Sequence, residues 1–237
     1  MPQFTELWPG GPRFAQAGNQ RLSTDCVLLS DFVRTRPRRR GVDLGCASGA
    51  IALLLLAREP SLQLTGLELD RDAAALAREN MAENRFTEQC EILTGDIREH
   101  RALFRAGSFD FAVANPPYFP LGRGALAPDP ARAAARSETD LSLEELCRAA
   151  AWLLRSGGSF FLVHRPERLS ELLCTLTACT LEPKRLRLVC PRPERAPSLI
   201  LLEARRGGQP GLQIEAPLLL CDSEGRESAE YRRIYHR

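Results

Sequence analysis

Short apolar runs alternate with stretches of helical periodicity along most of the chain. Gly41–Gly45 reads as a strand and Ala50–Arg58 as a buried helix. Leu62–Leu69 is a second strand, followed by a helix over about Arg71–Glu83, and Cys90–Asp96 is a third strand. Phe109–Ala114 is a fourth, with no polar alternation after Asp110, the signature of a strand buried on both faces. Leu143, Leu146, Cys147, Ala150, Leu153 and Leu154 fall on one helical face. Gly157–His164 predicts a fifth strand, and "RPERLSELLCTL" opens a helix with Pro166 in its first turn. Two further strands fit Lys184–Cys190 and Ser198–Ala204. Repeated strand–helix units predict an α/β fold, a doubly wound, mostly parallel seven-stranded sheet with helices on both faces. A single domain is expected: an N-terminal segment 1–40, a core 41–204 and a C-terminal extension 205–237 that follows the turn "RRGGQPG". The long loop Gly122–Asp140 is rich in Gly, Ala, Pro and Arg, and a loop of that length in a compact domain is usually functional or mobile.

Composition narrows the function little. The 237 residues carry a formal charge of +2, so bulk charge does not announce a nucleic-acid binder. The basic residues are almost all arginine, Lys184 being the one lysine, and arginine suits forked contacts to phosphate. The eight cysteines include no Cys-x-x-Cys pair and no histidines at zinc spacing, so reduced thiols, a cytoplasmic location and no metal are expected. No apolar run is long enough to span a bilayer.

The chemistry concentrates where strands end. Ligands of such sheets bind outside the strand carboxyl ends. After the first strand comes "VDLGCASGA", in which Gly45 and Gly49 let the backbone turn tightly and approach a ligand, with Asp43 just before them. Glu68 ends the second strand, where a carboxylate can accept both hydroxyls of a ribose. Asp96 ends the third, placed to accept from an adenine amino group. These residues resemble the class I S-adenosylmethionine-dependent methyltransferases, and the resemblance implies cofactor contacts from Asp43, Gly45, Gly49, Glu68, Leu69, Asp96, Ile97 and Asn115. The family commonly has glycine where this chain has Ala47; if that position needs a positive φ, alanine costs roughly 1 kcal/mol.

The fourth strand stops at "NPPY", Asn115–Tyr118. A buried strand has no structural use for two prolines that cannot donate to a ladder. The motif resembles the Asn/Asp-Pro-Pro-Tyr/Phe signature of methyltransferases that modify planar amide-like nitrogens. The Asn115 side-chain carbonyl and the Pro116 backbone carbonyl can then hold both N–H groups of the target and stabilise the positive charge that grows on nitrogen. The Tyr118 ring can stack on a flat base, an effect worth about 1–3 kcal/mol.

"QRLSTDCVLLSDF" (Gln20–Phe32), "NPPYF", "RPERL" (Arg165–Leu169) and the C-terminal Ile234–Tyr235 together resemble the tRNA1(Val) adenine-37 N6-methyltransferase family over nearly the whole chain. The resemblance implies tRNA as partner, a monomer, and methylation of the adenosine beside the anticodon. Thr24 matches a threonine near the methionine end of the cofactor in that family, and it also reads as a helix N-cap. Substrate contacts are expected from Tyr118, Phe119, Arg123, Arg132, Arg136, Arg165 and Arg168. The basic run Arg34–Arg40 precedes the first strand, away from the cofactor end, and reads as a solvated face or a distal phosphate contact. A release-factor glutamine methyltransferase shares the same motif, because a glutamine amide is also a planar NH2, but usually carries a helical substrate domain before the glycine loop. An rRNA base methyltransferase and a non-catalytic cofactor-binding protein are the other readings.

Overall fold

The computed structural model describes residues 2–16, 22–116 and 141–237. Its centre is a sheet built from β3 (Arg40–Leu44), β4 (Gln63–Glu68), β5 (Cys90–Thr94), β6 (Phe109–Ala114), β7 (Leu154–His164), β8 (Leu181–Cys190) and β9 (Leu199–Arg206). The spatial order is β8-β9-β7-β6-β3-β4-β5, and every neighbouring pair is parallel except those made by β9, which runs against both β7 and β8. These are the seven strands that the apolar runs predict. Two strands of two residues each, β10 (Gln213–Ile214) and β11 (Leu218–Leu219), add to the free edge of β8 and make nine. They come from the C-terminal extension and are too short to leave a periodicity in sequence.

The strands lack polar alternation because both sheet faces are covered. Phe111 and Val113 of β6, Phe161 and Val163 of β7, and Leu199 and Leu201 of β9 pack into one core with α1 (Thr24–Phe32), α2 (Ala50–Arg58) and α3 (Arg71–Glu83). The alternate residues Ala112, Phe160, Leu162, Ile200 and Leu202, with Phe109 across a break in register, pack into the other with α5 (Leu143–Leu153) and α6 (Leu169–Ala178). A short helix, α4 (His100–Leu103), lies between β5 and β6. The start of α5 is a capping box, Ser142 and Glu145 bonding each other's backbone amides, a signal already present in "SLEE".

The N-terminal segment closes on α3 and the C-terminal helix on α1. An antiparallel hairpin, β1 (Phe4–Glu6) with β2 (Arg13–Ala15), is held to α3 by side-chain amides. Asn80, fully buried, accepts from Ala15 N–H at 2.8 Å and donates to the carbonyls of Ala15 and Ser48. The C-terminal helix α7 (Ala229–Ile234) is anchored by a forked ion pair from Arg233 to Asp31 at 2.9 and 3.0 Å. Trp8 stacks on His236 with ring centroids 4.0 Å apart. Among the described residues no helix is long and apolar enough to cross a membrane.

Candidate active site

The strand order reverses at β3: β4 and β5 extend to one side, β6 and β7 to the other. The loops leaving β3 and β6 therefore diverge, and a crevice opens above their carboxyl ends. The loop after β3 turns through three residues with positive φ, Gly45 (76°), Ala47 (47°) and Gly49 (81°). The condition for strain at Ala47 is met, so its methyl costs the roughly 1 kcal/mol that left-handed backbone imposes on an L-residue. A Cβ added at Gly45 would meet nothing within 4 Å, leaving that backbone open to approach. At Gly49 it would come within 3.2 Å of Ala77 and Met81, so this glycine is needed for packing against α3.

Glu68 holds this loop. One oxygen accepts from Ala47 N–H at 2.7 Å and the other from Asp70 N–H at 2.9 Å. A carboxylate has about four lone-pair positions, so acceptor capacity remains for two hydroxyls. Below the loop lies Asp43, whose buried carboxyl has neither oxygen in a hydrogen bond of normal geometry. Burial first, and repulsion from Glu68 second, push its pKa up to about 7, the Ala52 amide pulling weakly the other way. The spare acceptor capacity of Glu68 beside the exposed backbone of Gly45 suits a ligand that brings hydroxyl groups, as S-adenosylmethionine does. Leu69, half exposed, offers an apolar surface beside Glu68.

Asp96 is placed at the end of β5, but its carboxylate is engaged. It caps the turn Ile97–Glu99 by accepting from Arg98 N–H at 2.8 Å, and it receives the Arg98 guanidinium as well. That hydrogen bonding holds the carboxyl below its usual range. Ile97, partly buried, packs against the second core beside it.

Asn115 stands where β6 ends, with Pro116 next to it. Its side-chain amide donates to Cys26 Sγ at 3.2 Å, and that sulfur also receives the Ser23 hydroxyl at 3.3 Å. Burial raises the Cys26 thiol above its ordinary pKa, so the sulfur is a neutral acceptor. Cys26 lies on the first turn of α1, whose N-cap is Ser23 and not Thr24: the Ser23 Oγ accepts from Cys26 N–H. The capping alternative for Thr24 therefore falls. Its side chain instead lies beside Tyr235, whose phenol burial pushes up to about 12, so the C-terminal Tyr235 sits at the start of α1. The meetings of Cys26 with Asn115 and of Tyr235 with Thr24 carry no local sequence signal; each pair comes together only through the fold.

At the end of β7, Arg165 reaches back to the Ser198 carbonyl at 3.1 Å. Arg168 grips Glu171 through two nitrogens, while its third, Nη1, is buried without a partner. A cavity of about 640 Å³ lies there, bounded by Arg168, Glu171, Cys174 and the start of α5. Tyr118, Phe119, Arg123, Arg132 and Arg136 lie outside the described residues. All eight cysteines are free thiols, and no group of three or more possible metal ligands occurs among the described residues.

Sheet order, glycine turn and terminal acids define the class I methyltransferase architecture. The chain matches the methyltransferase small domain family over residues 19–176. It is 32% identical over 220 residues to the tRNA1(Val) (adenine(37)-N6)-methyltransferase of Tolumonas auensis, covering 89% of this chain and 86% of that one. To the protein of the same name from Porphyromonas gingivalis it is 35% identical over 192 residues, 78% and 74% of the two chains. Among solved structures, a predicted O-methyltransferase from Agrobacterium tumefaciens superposes with a TM-score of 0.73 at 22% identity, over 90% of this chain and 96% of that one. The chain belongs to the methyltransferase small domain family and, within it, to the family of the tRNA1(Val) (adenine(37)-N6)-methyltransferases.

Proposed function

We propose that this protein transfers a methyl group from S-adenosylmethionine to N6 of an adenosine in tRNA, the one at position 37 beside the anticodon. The observation that carries the reading is Asn115–Pro116 at the end of β6, beside the glycine turn and Glu68. The naming of relatives that align over most of the chain supports tRNA over a protein glutamine as substrate.

Gly45, Gly49, Glu68 and Leu69 would hold the cofactor, with Asp43, Thr24, Asp96 and Ile97 around them. S-adenosylmethionine supplies an electrophilic methyl on a sulfonium. The residues of this chain do the rest. The exocyclic nitrogen of adenine is a weak nucleophile because its lone pair is delocalised into the ring. Cys26 accepts from the NH2 end of the Asn115 amide and so fixes the orientation of the amide, whose carbonyl end would accept from the target. The Pro116 carbonyl takes the second N–H. Both acceptors bind more strongly as positive charge develops on nitrogen, which lowers the barrier without a general base. Proline fixes φ beforehand, so little reorganisation is left for the reaction itself. Tyr118 would support the unstacked base.

The test offers wild-type protein and Asn115→Ala to unmodified total tRNA and to a release factor, with radiolabelled methyl donor. Label should appear in tRNA at a single adenosine. The variant should bind the cofactor normally and lose nearly all transfer. Label in the release factor alone would overturn the reading.

A further inference from the structure

We infer that a cleft at the opposite end of the sheet binds phosphates of the RNA backbone, away from the methyl-transfer site. This deepens the tRNA reading and rests on it. The cleft, about 610 Å³, opens at the amino ends of β3 and β6, where the run Arg34–Arg40 meets residues from β7, β8 and β9. Seven cationic side chains line it against two carboxylates, Asp110 and Glu203.

Its carboxylates are already spoken for. Asp110 accepts from Arg39 at 2.8 Å, from Arg155 at 2.6 Å and from the Arg40 amide at 2.9 Å. Glu203 and Glu215 share the buried Arg185, and Glu215 also takes Arg34. Burial alone would raise the Glu215 carboxyl, yet the surrounding arginines hold it below its ordinary value, so it stays charged and paired. Arg36, Lys184 and Arg205 are left in the cleft with no carboxylate partner among the described residues. Lys184 donates only to the Gln209 carbonyl. The Arg34–Glu215–Arg185–Glu203 chain is neutral, the Asp110 cluster keeps one positive charge, and these three add theirs.

Two irregularities of the sheet bring these cations together. The ladder between β8 and β9 slips between Pro183 and Arg185, which makes Lys184 a bulged residue. Bulges re-aim side chains. The ladder between β6 and β7 slips between Phe109 and Phe111, and the excursion through Gly157 (φ 74°) puts Arg155 on Asp110. An uncompensated cationic cleft with forked donors suits phosphodiester oxygens. Asp110 and Asn115 are five residues apart on β6, about 17 Å at about 3.3 Å per residue. A stacked strand covers that distance in about five nucleotides at about 3.4 Å each. RNA whose adenosine sits at Asn115 can therefore reach the cleft only if it extends well past the loop.

The experiment compares wild-type protein with the triple variant Arg36→Ala/Lys184→Ala/Arg205→Ala. None of the three residues makes an ion pair among the described residues, so melting temperature and cofactor affinity should be unchanged. Binding is measured against salt for full-length unmodified tRNA and for a single strand of about seven nucleotides centred on the adenosine. For tRNA, the slope of log K against log salt should flatten by about 2, since each lost phosphate contact removes about 0.7–0.9. For the short strand it should not change. An unchanged tRNA slope would overturn the inference. So would a cleft that serves only free anions: stabilisation of the wild type by inorganic phosphate, lost in the variant while the tRNA slope stays the same. Methyl transfer by the wild type is scored in the same samples. Its absence would sink the catalytic reading without touching the slopes, and its presence with equal slopes would sink the cleft alone.

Discussion

Glu68→Gln separates the loop clasp that the structure shows from the ribose contact proposed for this residue. The carboxylate clasps the glycine turn through Ala47 and Asp70 amides at 2.7 and 2.9 Å. Glutamine keeps one acceptor and turns its NH2 towards the other amide, so one charge-assisted bond is lost outright. Such a loss costs about 1.5–3 kcal/mol of stability. On the proposed reading, the two ribose hydroxyls of the cofactor lose their charged acceptor as well. Cofactor affinity should then fall roughly ten- to a hundred-fold, again about 1.5–3 kcal/mol. A third effect is electrostatic: with the Glu68 charge gone, the Asp43 pKa should move down from about 7. Calorimetric titration with S-adenosylmethionine, together with chemical denaturation across pH, reads all three. A variant that loses stability but binds cofactor within about twofold of wild type (~0.4 kcal/mol) would refute the ribose assignment and leave Glu68 as a loop clasp only.

Asp43 makes stability depend on pH. Its folded pKa, about 7, lies above the 3.8 of an ordinary aspartate, so its contribution is fully present below about pH 4 and is lost as pH rises through about 7. The wild type should lose up to about 4 kcal/mol more than Asp43→Asn between pH 4 and 8, and equal denaturation profiles would contradict this. Cys26→Ala removes the acceptor for the Asn115 amide; single-turnover transfer should slow about two- to ten-fold with cofactor affinity kept, and Cys26→Ser should restore most of the rate. Asn80→Ala leaves the Ala15 and Ser48 backbone groups without partners and should cost about 3 kcal/mol, with looser cofactor binding because Ser48 belongs to the glycine turn. A melting temperature within about 2 °C of wild type would count against that clamp.

The linear chain determined the core and the line of the site. Strands buried on both faces leave continuous apolar runs, and amphipathic helices leave a repeat of about 3.6 residues, so β3 to β9 and α2, α3 and α5 were legible to within a few residues. Gly45, Gly49, Glu68, Asp96 and Asn115 could be read because each follows directly on such a strand. Tertiary structure alone decided what joins segments remote in sequence. The β1–β2 hairpin, β10 and β11 are too short for any periodicity and exist because a neighbouring element supplies their partner. Cys26 reaches Asn115 across 89 positions, and Thr24 meets Tyr235 across nearly the whole chain. The run Arg34–Arg40 read in sequence as a solvated face or a distal phosphate contact without deciding between them; its carboxylates and fellow cations come from β6 to β9 and from Glu215. Periodicity records which face of an element is buried. It carries no record of which distant side chain waits there, because that pairing is made only when the sheet assembles.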